Sequence, residues 1–260
     1  MLITYFGADA GCGCTMIAQS TANCLANIYP NKKILLLSLS GYGGNDYTDI
    51  SFDYSMDDLL VKLNSNVLTS EELLSLCGSY KNLYMLKGSI SLKQRKTYMP
   101  DDITKLIKIA ETQFDYIIAD AGSSVDVGIG LGALLVRGTN FLITTQSQKA
   151  FYRHRQKQDI FKTLDISFDY LVLNKYIAKH FLPSEKLVKD SYNLEKYFVI
   201  DYSDYGMQAE EEKRPIEAID KMYKNQIEEI IKVTAGKEEI QGSTTQKSKS
   251  FISGILRRRN

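Results

Sequence analysis

No apolar run in this 260-residue chain approaches the roughly 20 residues that cross a bilayer, which excludes a helical membrane span. No basic segment followed by a cleavable apolar one opens the chain, so export is not expected. Cysteine is scarce. Cys12, Cys14, Cys24 and Cys77 all lie in the first third, without paired metal-finger spacing. In a chain that is not exported they are expected to be reduced thiols. Acidic residues are missing from positions 247–260, which hold Lys247, Lys249, Arg257, Arg258 and Arg259. The formal net charge of +1 therefore hides a body of about −4 and a tail of +5, and such a tail points to an anionic partner. There is no internal repeat.

One lysine is also missing, from the stretch around which the chain is organised. Residues 1–6 (MLITYF) are apolar or β-favouring and read as a buried strand. GADAGCGCT follows, with Gly7, Gly11 and Gly13, and then an apolar helical pattern begins. A strand, a small-residue loop and a helix N-terminus make a phosphate cradle, because backbone N–H groups can approach an anion there. Gly13-Cys14-Thr15 stands where a P-loop has Gly-Lys-Thr, so the loop has the motif's shape without its cation.

Composition is ordinary for an α/β domain, at 44% hydrophobic and 24% charged. In chain order, helix is expected over 15–29, a strand buried on both faces over 33–39, and short helices over 55–63 and 69–76. Ser55-x-x-Asp58 and Thr69-x-x-Glu72 open those two as capping boxes. Further on come a strand at 83–86, a helix at 100–112, and a strand at 114–119 ending on Asp120. A Gly/Ser-rich loop over 121–132 is expected to be able to move. A strand at 140–144, a helix at 148–164 and a strand at 168–173 ending on Asn174-Lys175 follow. A helix at 184–192, a strand at 197–200 and a helix at 215–233 with proline in its first turn complete the body. Alternation of this kind predicts a single α/β domain over 1–234, with a doubly wound, mostly parallel sheet. Ligands of such sheets bind outside the carboxyl ends of the strands, where the first loop, Ser38-Leu39-Ser40, Asp120 and Asn174 all fall. A flexible linker is expected over 235–250 and a basic amphipathic tail over 251–260.

This order of signals resembles the deviant Walker A ATPases, the ParA/MinD-like P-loop superfamily. The resemblance rests on Gly11-Cys12-Gly13-Cys14-Thr15 after the first strand, FDYIIAD with Asp120 at the Walker B position, LNK at 173–175, and IDYSDYGMQAEEEKRP at 200–215. Within that superfamily DDLL at 57–60, NLYMLKG at 82–88 and DAGSSVD at 120–126 look most like the TadZ/CpaE-like proteins of Flp/Tad pilus assembly. The resemblance implies ATP and Mg²⁺ as cofactors. Nucleotide would lie on Ala10, Gly11, Cys12, Gly13, Cys14, Thr15 and Met16, with Asn174 at the adenine edge. Thr15 and Asp120 would serve the metal. It also implies a homodimer, and pilus or secretion machinery as partners.

The departures are as informative. The family's two lysines fall at Asp9 and Cys14, its Asp-x-Asp at Ser38-Leu39-Ser40, and its Pro-Pro-Gly at Ala121-Gly122-Ser123. Losing one charge-assisted phosphate contact costs roughly 1.5–3 kcal/mol, which weak binding survives. Hydrolysis depends on neutralising charge in the transition state and is expected to be slow or absent. Asp9 cannot play the part of the lysine that reaches across the family's dimer, so dimerisation would rest on other contacts. Lys87, Lys93, Arg95 and Lys149 are replacements by charge only. Cys12 and Cys14 are expected to be buried small residues rather than a metal pair, although Cys14, at a helix N-terminus, is a candidate low-pKa thiolate. The superfamily's iron–sulfur branch uses cysteines in later loops, and none lies beyond Cys77.

Phe251, Ile252, Ile255 and Leu256 recur at helical spacing before Arg257, Arg258 and Arg259. Such a tail suits the anionic inner face of the cell membrane, and it is similar in position and character to the targeting helix of MinD. DNA is a weaker partner: the one basic cluster in the body, Arg153, His154, Arg155 and Lys157, reads as a solvated helix face. The sequence thus predicts a cytoplasmic, peripherally membrane-bound localisation or scaffold protein. An active ParA/MinD-type positioning ATPase and a nucleotide-free interaction module are the alternatives.

Overall fold

The strand at the centre of the molecule is the first one. β1 (Leu2–Gly7) is buried along its whole length, as its apolar sequence requires. It pairs in parallel with β5 (Tyr116–Asp120) on one side and β6 (Thr139–Thr144) on the other. The structure, a computed structural model, describes residues 1–235. β2 (Ile34–Ser38) and β4 (Leu83–Leu86) extend the sheet beyond β5, and β7 (Tyr170–Tyr176) and β8 (Tyr197–Asp201) extend it beyond β6. The eight-stranded order is β3-β4-β2-β5-β1-β6-β7-β8, parallel except for β3 (Gly78–Tyr80), which pairs antiparallel with β4 at the edge. Helices α1 (Cys14–Ile28), α4 (Pro100–Ala110) and α6 (Gln148–Thr163) follow β1, β4 and β6 as crossovers. The result is one α/β domain with a mostly parallel sheet, as expected.

The first capping box forms as the sequence suggests, and the second forms only in its N-cap half. The Ser55 amide donates to Asp58 Oδ2 at 2.8 Å, and the Glu72 amide donates to Thr69 Oγ1 at 3.2 Å. The first box starts a 3₁₀ turn (Met56–Asp58) that leads into α2 (Leu60–Asn64), and the second starts α3 (Ser70–Leu76).

Several expectations need correction. The 121–132 stretch is not all loop, since α5 (Gly128–Leu134) occupies its second half. Its glycines serve close packing: a Cβ at Gly128 or Gly132 would strike the backbone of Tyr98 or Pro100, and one at Gly130 would strike Ala121. β7 does not stop before Asn174; it continues to Tyr176 through an irregularity at which Lys175 takes a φ of 56°. The helix expected over 215–233 is broken. Pro215 precedes a 3₁₀ turn (Ile216–Ala218), and a separate helix, α9, covers 221–235. Asp220 makes the break by accepting the Tyr223 amide at 3.1 Å.

α7 (Glu185–Tyr192) follows β7, and α8 (Gly206–Glu211), which the sequence did not announce, follows β8. Ala235 is buried in α9 rather than part of a linker. The rest of the expected linker and the tail residues Phe251, Ile252, Ile255, Leu256, Arg257, Arg258 and Arg259 lie outside the described residues. Among the described residues no helix is long and apolar enough to cross a membrane.

Candidate nucleotide-binding site

The loop between β1 and α1 turns on two glycines in the left-handed region, Gly11 at φ 78° and Gly13 at φ 90°. Gly13 is the N-cap of α1, and no side chain caps that helix. The first-turn N–H groups therefore keep their capacity for an anion, with the helix dipole behind them. Ala10 and Gly11 are exposed, Gly13 and Thr15 are half-buried, and Cys12, Cys14 and Met16 are buried.

Thr15 and Asp120, expected at the metal, are in contact: Thr15 Oγ1 donates to Asp120 Oδ2 at 2.7 Å. Asp120 is 1% exposed, and its other oxygen accepts the Gly122 amide at 3.1 Å. Burial raises its pKa, against the pull of these hydrogen bonds, and the charge of Asp46 raises it further. Among the described residues no group of three or more His, Cys, Asp or Glu side chains forms a metal site. A hydroxyl beside one carboxylate suits Mg²⁺, which keeps waters and takes most of its oxygens from a phosphate ligand. The residues present thus fit a phosphate with its metal.

Cys14 does not provide a thiolate. Its thiol is buried and donates to the Tyr5 carbonyl at 3.1 Å, away from the loop's open side. Burial, and then the neighbouring Asp120, hold its pKa well above the ordinary thiol value. The position of the missing P-loop lysine is therefore neutral.

Cations reach the loop from elsewhere. Lys149 Nζ lies 3.3 Å from Asp9 Oδ2, and Lys175 Nζ donates to the Gly11 carbonyl at 3.0 Å. Lys157 Nζ donates to the carbonyls of Ala8 at 2.9 Å and Ser123 at 2.5 Å. Of the four replacements suggested by charge, only Lys149 is seen at the loop. Arg95 holds the Gly41 carbonyl and stacks on Tyr42, and Lys87 lies over the Phe52 ring. Lys157 was missed because its neighbours made it look like part of a solvated face. That face is not uniform: His154 is buried against Phe161, Phe168 and Tyr192.

Asn174 is 0% exposed, and its amide donates to the Cys12 carbonyl at 2.8 Å. Its Oδ1 is buried without a hydrogen-bond partner. A Cβ on Gly13 would strike this amide, so the glycine lets the loop sit directly on Asn174. In this arrangement the side chain is a strut beneath the cradle. It also borders a cavity of about 200 Å³ that runs past Met16, Tyr47, Lys175 and Tyr202, and this cavity is large enough to admit part of a purine. Ser38, at the end of β2, brings no carboxylate; its hydroxyl donates to the Gly44 carbonyl at 3.4 Å.

No protein-family model and no curated protein matches the sequence. Solved structures do match the fold. A ParA family ATPase from Chlorobium tepidum TLS superposes with a TM-score of 0.76 at 19% identity, covering 87% of this chain and 96% of that one. The septum site-determining protein MinD from Pyrococcus horikoshii OT3, solved with Mg-ADP, gives 0.71 at 16% identity over 89% of this chain and 96% of that one. A variant of McdA from Cyanothece, solved with ATP, gives 0.71 at 14% identity over 90% of this chain and 96% of that one. The chain has the fold of the ParA and MinD ATPases.

Proposed function

We propose that this chain binds ATP with Mg²⁺ weakly, hydrolyses it slowly or not at all, and works as a localisation or scaffold protein. The observation that carries the proposal is the Thr15–Asp120 contact at the mouth of an uncapped, lysine-free phosphate loop. Backbone N–H groups over 10–16 would hold the phosphates, Thr15 and Asp120 the metal, and the cavity beside Asn174 the base. Bound Mg²⁺ would supply the positive charge that draws the phosphates into this cradle.

Fast hydrolysis lacks its means. Position 14 is a buried thiol, position 9 is an acid paired with Lys149, and Ser38 and Ser40 carry no carboxylate to orient a water. Binding without rapid turnover suits a protein that recruits others. The segments at 57–60, 82–88 and 120–126 that resemble TadZ/CpaE-like proteins favour Flp/Tad pilus assembly, or a related secretion machine, as the setting. In that setting the chain would be a cytoplasmic homodimer, its basic tail on the anionic inner face of the membrane.

Two assays test this. Phosphate release at saturating ATP should not exceed that of Asp120→Ala. The full chain should co-sediment with anionic vesicles and not with neutral ones. Turnover that is lost in Asp120→Ala would instead mark an active ATPase.

A further inference from the structure

Three backbone carbonyl oxygens converge on one point behind the phosphate loop. Those of Gly7, Ala8 and Ser123 lie 3.4, 2.9 and 2.5 Å from Lys157 Nζ. Carbonyl dipoles aimed at one spot repel one another and, once half-buried, need a donor. An ammonium has three donors and a compact charge, which matches three oxygens. The lysine comes from α6, 149 positions beyond Ala8 and 34 beyond Ser123, so the contact ties together three separate parts of the chain. Its ammonium lies 5.1 Å from the centroid of the Phe6 ring. Burial lowers its pKa while the charge of Asp9 opposes that, so the cation is kept at a desolvation cost.

We infer that Lys157 is a positioning residue: it pins the end of β1 and the entrance of the phosphate loop to the segment after Asp120, and so sets the cradle's shape without a ligand. The neighbouring contacts show how the pin is transmitted. The Gly7 amide donates to the Gly122 carbonyl at 2.7 Å, and the Gly122 amide donates to Asp120 Oδ1 at 3.1 Å. Asp120 Oδ2 accepts from Thr15. Ser123 is thus one residue from the clamp on Gly122 and three from the carboxylate that faces Thr15. With Lys157 removed, the 120–123 segment stays attached to β1 through the Ala121 amide on the Tyr5 carbonyl and the Gly7 amide on the Gly122 carbonyl, and loses its hold at Ser123. That the pinned loop receives phosphate rests on the function proposed above; the pinning itself does not.

The test is hydrogen exchange by mass spectrometry on the full-length Lys157→Met variant, with site-resolved thiol labelling of Cys12, which is buried in the wild-type loop. Exchange over 7–12 and 120–127 should quicken by about tenfold or more, with 34–38 unchanged, and Cys12 should label faster. Lys162→Met, on an exposed position of the same helix, should change neither. If Lys157→Met does not fold, Lys157→Gln, which keeps two donors without the charge, is measured in the same way. Unchanged exchange in both segments overturns the inference, and so does acceleration spread evenly over the chain. ATP titration of the same samples is scored separately: a wild-type chain that binds no ATP overturns the nucleotide proposal and leaves the exchange result standing.

Discussion

Thr15 Oγ1 and Asp120 Oδ2 meet at 2.7 Å across 105 positions of sequence, joining the start of α1 to the end of β5. The acceptor is buried and its pKa is raised, so the hydroxyl stabilises a charge that the site disfavours. Hydrogen bonds to charged groups are worth about 1.5–3 kcal/mol. Thr15→Val should therefore lower unfolding stability by about 2 kcal/mol without ligand. A double-mutant cycle with Asp120→Asn should show coupling of about that size by urea denaturation. Strict additivity would show that the contact carries no energy.

The two loop glycines should respond differently to alanine. Both have positive φ, which costs an L-residue about 1–2 kcal/mol. A Cβ at Gly11 meets open space, whereas one at Gly13 strikes the Asn174 amide. Gly11→Ala should cost about 1 kcal/mol and Gly13→Ala clearly more, with nucleotide affinity falling further in the second. Equal losses would place Asn174 away from the loop.

His154 predicts acid sensitivity. Burial among aromatic rings, and then the charge of Lys157, lower its pKa from 6.5 to about 4. The folded protein keeps it neutral while the unfolded chain takes up a proton, so its contribution is complete above about pH 6.5 and is lost as pH falls toward 4. The slope in that window is about 1.4 kcal/mol per pH unit. His154→Phe should flatten the stability profile between pH 6.5 and 4, as read by denaturation at several pH values.

Glu217 predicts the opposite trend. Its carboxyl is buried, and burial raises its pKa from 4.5 to about 7 against the weaker pull of the Ser20 and Asn23 side chains. Its folded form favours the proton, so stability is greatest below about pH 4.5 and falls as pH rises to 7. Glu217→Gln should be more stable than wild type at pH 8, on the order of 2 kcal/mol, and the gap should close by pH 4.

What the sequence disclosed follows from what each pattern encodes. Continuous apolar runs such as 33–39 mark strands buried on both faces, so the parallel sheet and the loops at its carboxyl edge were legible. β3 was not, because three residues with two exposed carry no period. The glycines of α5 resembled a loop because composition does not distinguish freedom of φ from the need for close approach. The break at Asp220 depends on a carboxylate capping Tyr223, which the apolar spacing of 216–231 conceals. At the site, Thr15 and Asp120 could be found by order along the chain. Lys157 could not, since helical periodicity does not show that one cation of a basic face turns inward to carbonyls from two other loops. The strut role of Asn174 was equally hidden, because it depends on the absence of a Cβ at Gly13.

The central claim is that a phosphate cradle persists without its lysine. Calorimetric titration of the full chain with ATP and Mg²⁺, beside a Cys14→Lys variant, tests it most directly. The wild-type chain should bind in the sub-millimolar range. The variant, its new side chain turned from the Tyr5 carbonyl toward the loop, should bind ten- to a hundred-fold more tightly, the worth of one charge-assisted contact. Absence of binding heat from the wild-type chain at millimolar ATP would contradict the account.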